Sequence, residues 1–117
     1  MKMVCMCQGG NSRSVACAYL LKYEYGHDAL SLSWEKNEQA TKNMLFDWAD
    51  IIIVMQERFL YYVPSQYFDK TAVVDVGEDV WCNGLHPALL EKCRGILNGG
   101  LNVGMKREPK YSVPVNG

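Results

Sequence analysis

The stretch Ile51-Ile52-Ile53-Val54-Met55 decides the fold of this chain, because every position is apolar and most side chains are β-branched. A strand with one face in water alternates apolar and polar residues, whereas a strand covered on both faces is apolar throughout. The stretch therefore predicts a central strand of a parallel sheet with helices on both faces. It is also far too short to cross a bilayer.

On either side of this strand, apolar segments alternate with segments of helical periodicity, which is typical of parallel strands joined by crossover helices. We expect one three-layer α/β domain over residues 1–100, with a four-stranded parallel sheet, and an extended tail over 101–117. Further strands are predicted at 3–6, 29–33 and 71–76. A first helix is predicted between the loop after the first strand and Gly26. Further helices are predicted over 35–48, briefly over 57–62, and over 87–97.

Composition limits the classes of function. The chain has 117 residues, a formal net charge of −1 and 49% hydrophobic residues, as expected for one soluble domain. Its lysines and arginines are scattered, so neither nucleic acid nor a membrane surface is an expected partner. The sequence leaves the oligomeric state open.

The cysteines and histidines set a second limit. Five cysteines is an odd number and no secretory segment precedes them, so we expect free thiols in a reducing cytoplasm. His27 and His86 lie far apart, and no Cys-x2-Cys spacing occurs. Neither a metal site nor a cofactor is therefore predicted. Cys5 and Cys17 are expected to be buried packing residues.

The candidate site is the loop Cys7-Gln8-Gly9-Gly10-Asn11-Ser12-Arg13-Ser14, between the first strand and the first helix. A glycine-containing loop that closes onto a helix N-terminus can turn successive N–H groups inward and bind an oxyanion. Arg13 adds a planar fork for two phosphate oxygens. Cys7 would lie at the base of this cradle, where the same donors favour a thiolate. Ser12 or Ser14 could donate a further hydrogen bond to the sulfur.

This Cys-x5-Arg-Ser pattern after an amino-terminal strand resembles the low-molecular-weight protein tyrosine phosphatases. A second likeness to that family and its short bacterial relatives lies in Trp48-Ala49-Asp50 and the strand that follows it. The resemblance implies a thiolate that takes a phosphoryl group from a phosphorylated protein or a small phosphomonoester. Water then hydrolyses the phosphocysteine. It assigns the nucleophile's role to Cys7, phosphate binding to Arg13, and the hydroxyl after the arginine to Ser14.

Two positions of the loop depart from the family pattern. Family members often carry asparagine where this chain has Gly10, so Asn11 is open as a substitute that holds the loop. At Ser12, many eukaryotic members have a second cysteine that protects the nucleophile, and this chain has none. The remaining loop residues, Gln8 and Gly9, are expected to line the phosphate.

The general acid is the role for which this chain departs most from the family pattern. In the family it is usually the aspartate of an Asp-Pro pair after the fourth strand, and this chain has no Asp-Pro there. We favour Asp79, which has the family's residue type, while Glu78 and Asp75 remain open. Trp81 falls where an aromatic often flanks the mouth of the site and is a candidate for contact with an aryl substrate.

Three alternative functions remain. A phospho-ligand binding module would keep the cradle and lose turnover. A thiol-relay arsenate reductase would use Cys82 and Cys93 together with Cys7, although ten residues separate them and Cys93 lies in a predicted helix. A phosphocarrier of the same topology is disfavoured by Arg13, because a fixed guanidinium retains phosphate instead of passing it on.

Overall fold

The structure is a computed structural model that describes residues 1–105. Its sheet has four strands in the order β2-β1-β3-β4, and every neighbouring pair is parallel. The strands are β1 Lys2–Cys7, β2 Asp28–Ser33, β3 Ile51–Val54 and β4 Thr71–Val73. The predicted four-stranded parallel sheet is confirmed.

The central strand behaves as its composition requires. All four residues of β3 are buried, and it lies between β1 and β4 with Ile52 opposite both Val4 and Thr71. Ile52 and Ile53 are fully buried, and each contributes about 1.5–3 kcal/mol of hydrophobic stabilisation by the usual scale. Met55 follows the strand and still donates its N–H to the carbonyl of Met6.

The three helices are α1 Arg13–Tyr23, α2 Gln39–Trp48 and α3 Pro87–Asn98. Helix α1 packs against β1, β2 and α3, and Arg94 of α3 donates two hydrogen bonds to Glu24 just after α1. From β2 the chain crosses back over β1 to reach β3. The two crossovers therefore run in opposite directions, and right-handed connections place α1 and α2 on opposite faces. This arrangement is consistent with a three-layer α/β fold.

Helix α2 begins four residues later than the periodicity predicts. A turn precedes it, in which the N–H of Ser33 donates to Oδ1 of Asn37 and the N–H of Lys36 donates to Oγ of Ser33. These side chains satisfy backbone groups that a helix would otherwise use. The buried face of α2 is centred on Phe46, while Met44 is 63% exposed.

The segment from β3 to β4 contains two 3₁₀ helices, Glu57–Tyr62 and Ser65–Lys70, of which the sequence predicts the first. Strand β4 ends at Val73, three residues before the predicted end, although the N–H of Val74 still donates to Val54. Within residues 1–105, no helix is both long and apolar enough to cross a membrane.

The segment predicted as an extended tail starts differently in the structure. Leu101 is 1% exposed and belongs to the hydrophobic core, and Val103–Met105 forms a short 3₁₀ turn. Gly104 in this turn has a φ of +76°, and a Cβ there would lie 3.1 Å from the carbonyl oxygen of Asp69. Burial of Leu101 thus keeps the first part of this segment on the domain. The rest of the predicted tail, 106–117, lies outside the described residues.

Candidate active site

The strand order places the candidate site at a particular edge of the sheet. From β1 the chain crosses to β2 on one side, whereas β3 and β4 lie on the other side. In such sheets the loops after the two central strands diverge and leave a crevice at their carboxyl ends. The loop that begins at Cys7 follows β1, and Gln56 follows β3. Both lie at the edge where this rule predicts a ligand.

Cys7 is the last residue of β1 and is 1% exposed. The backbone N–H of Gly10 donates to its Sγ over 3.2 Å, and its thiol donates to Oγ of Ser14 over 3.0 Å. Ser14 lies in the first turn of α1 and is fully buried. The structure therefore brings the predicted nucleophile and the predicted hydroxyl into direct contact.

A second serine continues this chain of hydrogen bonds. The hydroxyl of Ser31 in β2 donates to the carbonyl of Gly10 over 2.9 Å, and its Oγ lies 2.6 Å from Oγ of Ser14. The hydroxyl proton of Ser31 is donated to the carbonyl of Gly10. When Cys7 is a thiol and donates to Ser14, the hydroxyl proton of Ser14 therefore points towards Oγ of Ser31. Every hydroxyl and thiol proton in this chain of hydrogen bonds, from Cys7 to Gly10, then has an acceptor.

The end of β2 holds the loop at two points. Besides the Ser31 contact, the hydroxyl of Ser33 donates to the carbonyl of Gln8. Gly10 has a φ of +68°, and a Cβ there would lie 3.0 Å from the Cβ of Ser33 and 3.1 Å from its nitrogen. Only glycine meets both conditions without strain. Serines of β2 thus hold the loop, while Asn11, considered for that role, is exposed.

Arg13 is the first residue of α1 and is 1% exposed. Its Nη1 donates to Oε1 of Gln56 and to the carbonyl of Gly77, both over 2.8 Å, and its guanidinium carbon lies 5.1 Å from the ring centre of Phe59. Its Nε is buried and has no hydrogen-bond partner among the described residues. One nitrogen anchors the guanidinium, and a second still has a proton to donate.

The three candidate acids take three different positions. Asp79 accepts a hydrogen bond from Oγ of Ser12 over 2.9 Å, so it contacts the loop directly. Glu78 accepts from Nε2 of Gln56 and lies 3.6 Å from Arg58. Asp75 accepts from two backbone N–H groups and holds the turn after β4. Of the three carboxylates, Asp79 is the one bonded to the loop.

For Gln8, Gly9 and Trp81 the structure shows neighbours other than the sulfur. The amide of Gln8 donates to Glu35 at the surface, and a Cβ at Gly9 would lie 3.2 Å from Oδ1 of Asn11, which is a tight contact. The ring of Trp81 packs edge-on against His86, with 5.5 Å between the ring centres, on the segment that enters α3. Trp81 is half-buried and packs against the hydrophobic core of the domain.

The remaining cysteines divide by burial, and all five are free thiols. Cys5 and Cys17 are fully buried, as predicted, and a hydrogen bond between them together with burial raises the pKa of Cys17 well above its ordinary value. Burial raises the pKa of Cys93 in α3 to about 12, and Cys82 is exposed. Among residues 1–105, no group of three or more His, Cys, Asp or Glu side chains is placed to hold a metal ion.

Sequence reasoning missed Ser31, Ser33 and Gln56. Each lies within two residues of the carboxyl end of a strand next to β1. That position is the signal which could have found them, since the ends of adjacent parallel strands meet at the crevice. Comparisons with protein-family models, with curated proteins and with solved structures find no match for this chain.

Proposed function

We propose that this protein is a cysteine-dependent phosphatase that hydrolyses phosphotyrosine or a related phosphomonoester through a phosphocysteine. The observation that carries the proposal is the arrangement around Cys7. Its sulfur lies within a loop that ends at a helix N-terminus, in contact with an N–H and a hydroxyl, and Arg13 and Asp79 are attached to the same loop. A nucleophile, an anion-binding group and an acid are the three parts such a reaction needs.

Charge placement supports binding of a phosphoryl group. The N-terminus of α1 carries partial positive charge, and Arg13 adds a full charge there. With Nη1 of Arg13 held by Gln56 and Gly77, the unpartnered Nε can donate to a phosphate oxygen. Such charge-assisted hydrogen bonds are about twice as strong as neutral ones.

In the first step the Cys7 thiolate attacks phosphorus, an S–P bond forms and the bond from phosphorus to the leaving oxygen breaks. Asp79 gives its proton to that oxygen, so the product departs as a neutral alcohol or phenol. The Ser14 hydroxyl turns from Ser31 to the sulfur and donates to the thiolate, while Ser31 continues to donate to Gly10. Only one hydroxyl reorients, and none is left without a partner.

In the second step water attacks the phosphocysteine. Asp79 accepts a proton from that water, the new P–O bond forms and the S–P bond breaks, which regenerates the thiolate and releases phosphate. Throughout both steps Arg13 and the loop N–H groups hold the equatorial oxygens, where charge accumulates. The parallel strand order with the loop after β1 further supports a fold like that of the low-molecular-weight phosphatases.

Hydrolysis of a small aryl phosphate by the purified protein tests the proposal. We expect turnover that vanadate inhibits and that Cys7→Ser abolishes. Cys82→Ser is the matched control, because this thiol is exposed and lies outside the loop of residues 7–14. Full activity of Cys7→Ser would refute the mechanism. Thermal stabilisation by phosphate without turnover at any pH would instead identify a phospho-ligand binding module.

A further inference from the structure

The segment that carries Asp79 has one buried attachment point. Between the buried residues Val76 and Leu89, all of which the structure describes, every residue is exposed or half-buried except Gly84. Cys82, two residues before it, has a φ of +59°, which a non-glycine residue adopts only under local constraint. This segment therefore crosses the surface and touches the interior at Gly84.

Gly84 lies directly on the first turn of α1. A Cβ at this position would lie 2.7 Å from Cγ1 of Val15, 2.9 Å from Cβ of Val15 and 3.2 Å from the carbonyl oxygen of Ser12. The φ of Gly84 is not in the left-handed region, so space alone requires glycine here. A larger residue would push this segment and α1 apart, because one of the closest atoms belongs to the stiff β-branch point of Val15.

Asp79 also contacts the start of α1, through Ser12. Ser12 contacts the segment twice, since its Oγ donates to Asp79 and its carbonyl oxygen lies beneath Gly84. Asp79 and Gly84 are thus the two ends of one short loop, and both ends meet Ser12.

We propose that Gly84 is a positioning residue for catalysis, which holds the loop of residues 79–84 against α1 and so places Asp79 for proton transfer. This inference rests on the proposed phosphatase function and on Asp79 as its acid. Gly84 itself touches neither the sulfur nor the substrate. Its contribution acts through Asp79, so its loss should affect proton donation more than phosphate binding.

The experiment compares two leaving groups in Gly84→Ala. An alkyl-substituted phenolate must be protonated as it departs, because a phenol of the tyrosine type has a pKa of about 10. A nitrophenolate departs without protonation. We expect kcat/KM for phosphotyrosine to fall about tenfold or more, part of the 10²–10⁴ that a general acid supplies, with kcat/KM for nitrophenyl phosphate and inhibition by phosphate nearly unchanged. This ratio reports the first step alone, before Asp79 acts as the base that both substrates need.

Two further sets of variants separate this role from a general loss of stability. Gly95→Ala is the matched control, since Gly95 lies in α3 and a Cβ there would meet nothing within 4 Å. In the Gly84→Ala background, Val15→Ala removes the closest atom and Val15→Gly removes both. We expect stepwise recovery of phosphotyrosine turnover, which a nonspecific folding defect would not show.

A crystal structure of Gly84→Ala distinguishes failure of this inference from failure of the proposed function. We expect the distance from Ser12 Oγ to Asp79 Oδ2 to exceed 3.5 Å. An unchanged distance, or equal losses for both leaving groups, would overturn the positioning role. If the distance increases but the wild type shows no turnover, the loop placement stands and the phosphatase function fails.

Discussion

Ser12 donates a hydrogen bond of 2.9 Å to Asp79, which lies 67 residues further along the chain. This bond joins the loop of residues 7–14 to the segment after β4, and it distinguishes Asp79 from the two other carboxylates nearby. Asp75 is occupied by backbone N–H groups and Glu78 by Gln56. Asp79 is bonded to a hydroxyl, which can either donate or accept a hydrogen bond.

Replacement of the carboxylates one at a time tests this assignment. We expect Asp79→Asn to lower kcat for phosphotyrosine by about 10²–10⁴, the usual contribution of a general acid. Glu78→Gln is the matched control at the neighbouring position, and its effect should be small. Steady-state rates on phosphotyrosine and nitrophenyl phosphate measure both. A larger loss in Glu78→Gln than in Asp79→Asn would transfer the acid's role to Glu78.

The nucleophile makes the most direct prediction. Cys7→Ser should lower turnover by at least about a thousandfold, because loss of a nucleophile removes the covalent route altogether. Phosphate should still bind, since the loop and Arg13 remain. Thermal unfolding with increasing phosphate measures that binding, and a melting temperature that phosphate does not raise would argue against the cradle.

Ser31→Ala tests the hydrogen-bond chain behind the nucleophile. This variant leaves the carbonyl of Gly10 and one side of Ser14 without their partner, so we expect lower kcat and a loss of about 1–3 kcal/mol in the free energy of unfolding. Ser65→Ala is the control, because Ser65 is exposed. Denaturant unfolding and steady-state kinetics measure the two effects. Equal behaviour of the two variants would show that Ser31 is only a spacer.

The contact between α1 and α3 makes a prediction about pH. Two hydrogen bonds from Arg94, opposed weakly by desolvation, lower the pKa of Glu24 in the folded protein. A lowered carboxylate pKa gives stability that is present above the unfolded pKa of about 4.3 and is lost as pH falls through the folded pKa. Arg94→Ala should therefore melt slightly below the wild type at pH 7. The gap should close at strongly acid pH, and a gap that persists there would assign the effect to packing.

Thiol alkylation tests the environment of the other cysteines. In Cys7→Ser we expect iodoacetamide to modify Cys82 rapidly at pH 8, because this residue is exposed. Cys93 should react only on unfolding, since it is buried and its pKa of about 12 keeps it protonated. Mass spectrometry of digested protein reports each site. Rapid modification of Cys93 in the folded state would reopen the thiol-relay alternative.

The sequence predicts the site residues within the loop of residues 7–14 better than those contributed by other strands. Cys7, Arg13 and Ser14 are close in the chain, so their spacing between a strand and a helix is enough to place them together. Ser31 gives no such signal, because serine alternates with leucine in β2 and that pattern is typical of a strand with one face in water. Its actual role depends on which strand lies beside β1, and this is a property of the sheet order.

The same distinction explains the remaining differences. Gln56 is one polar residue after an apolar strand, and its contact with Arg13 arises only when β3 pairs with β1. In the sequence, Gly84 resembles an ordinary turn glycine, and its close approach to α1 is visible only in the structure. The late start of α2 follows from a local competition by Ser33 and Asn37 for backbone N–H groups, which periodicity does not register.

The anchoring of Arg13 by the carbonyl of Gly77 has a consequence for synthesis of the chain. These residues are 64 positions apart, so the guanidinium gains this partner only after most of the domain has left the ribosome. The cysteine and its loop emerge first and must wait for the segment that completes them. Under the proposed function, a nascent chain would therefore lack an anchored Arg13, and hydrolysis would begin only with the finished domain.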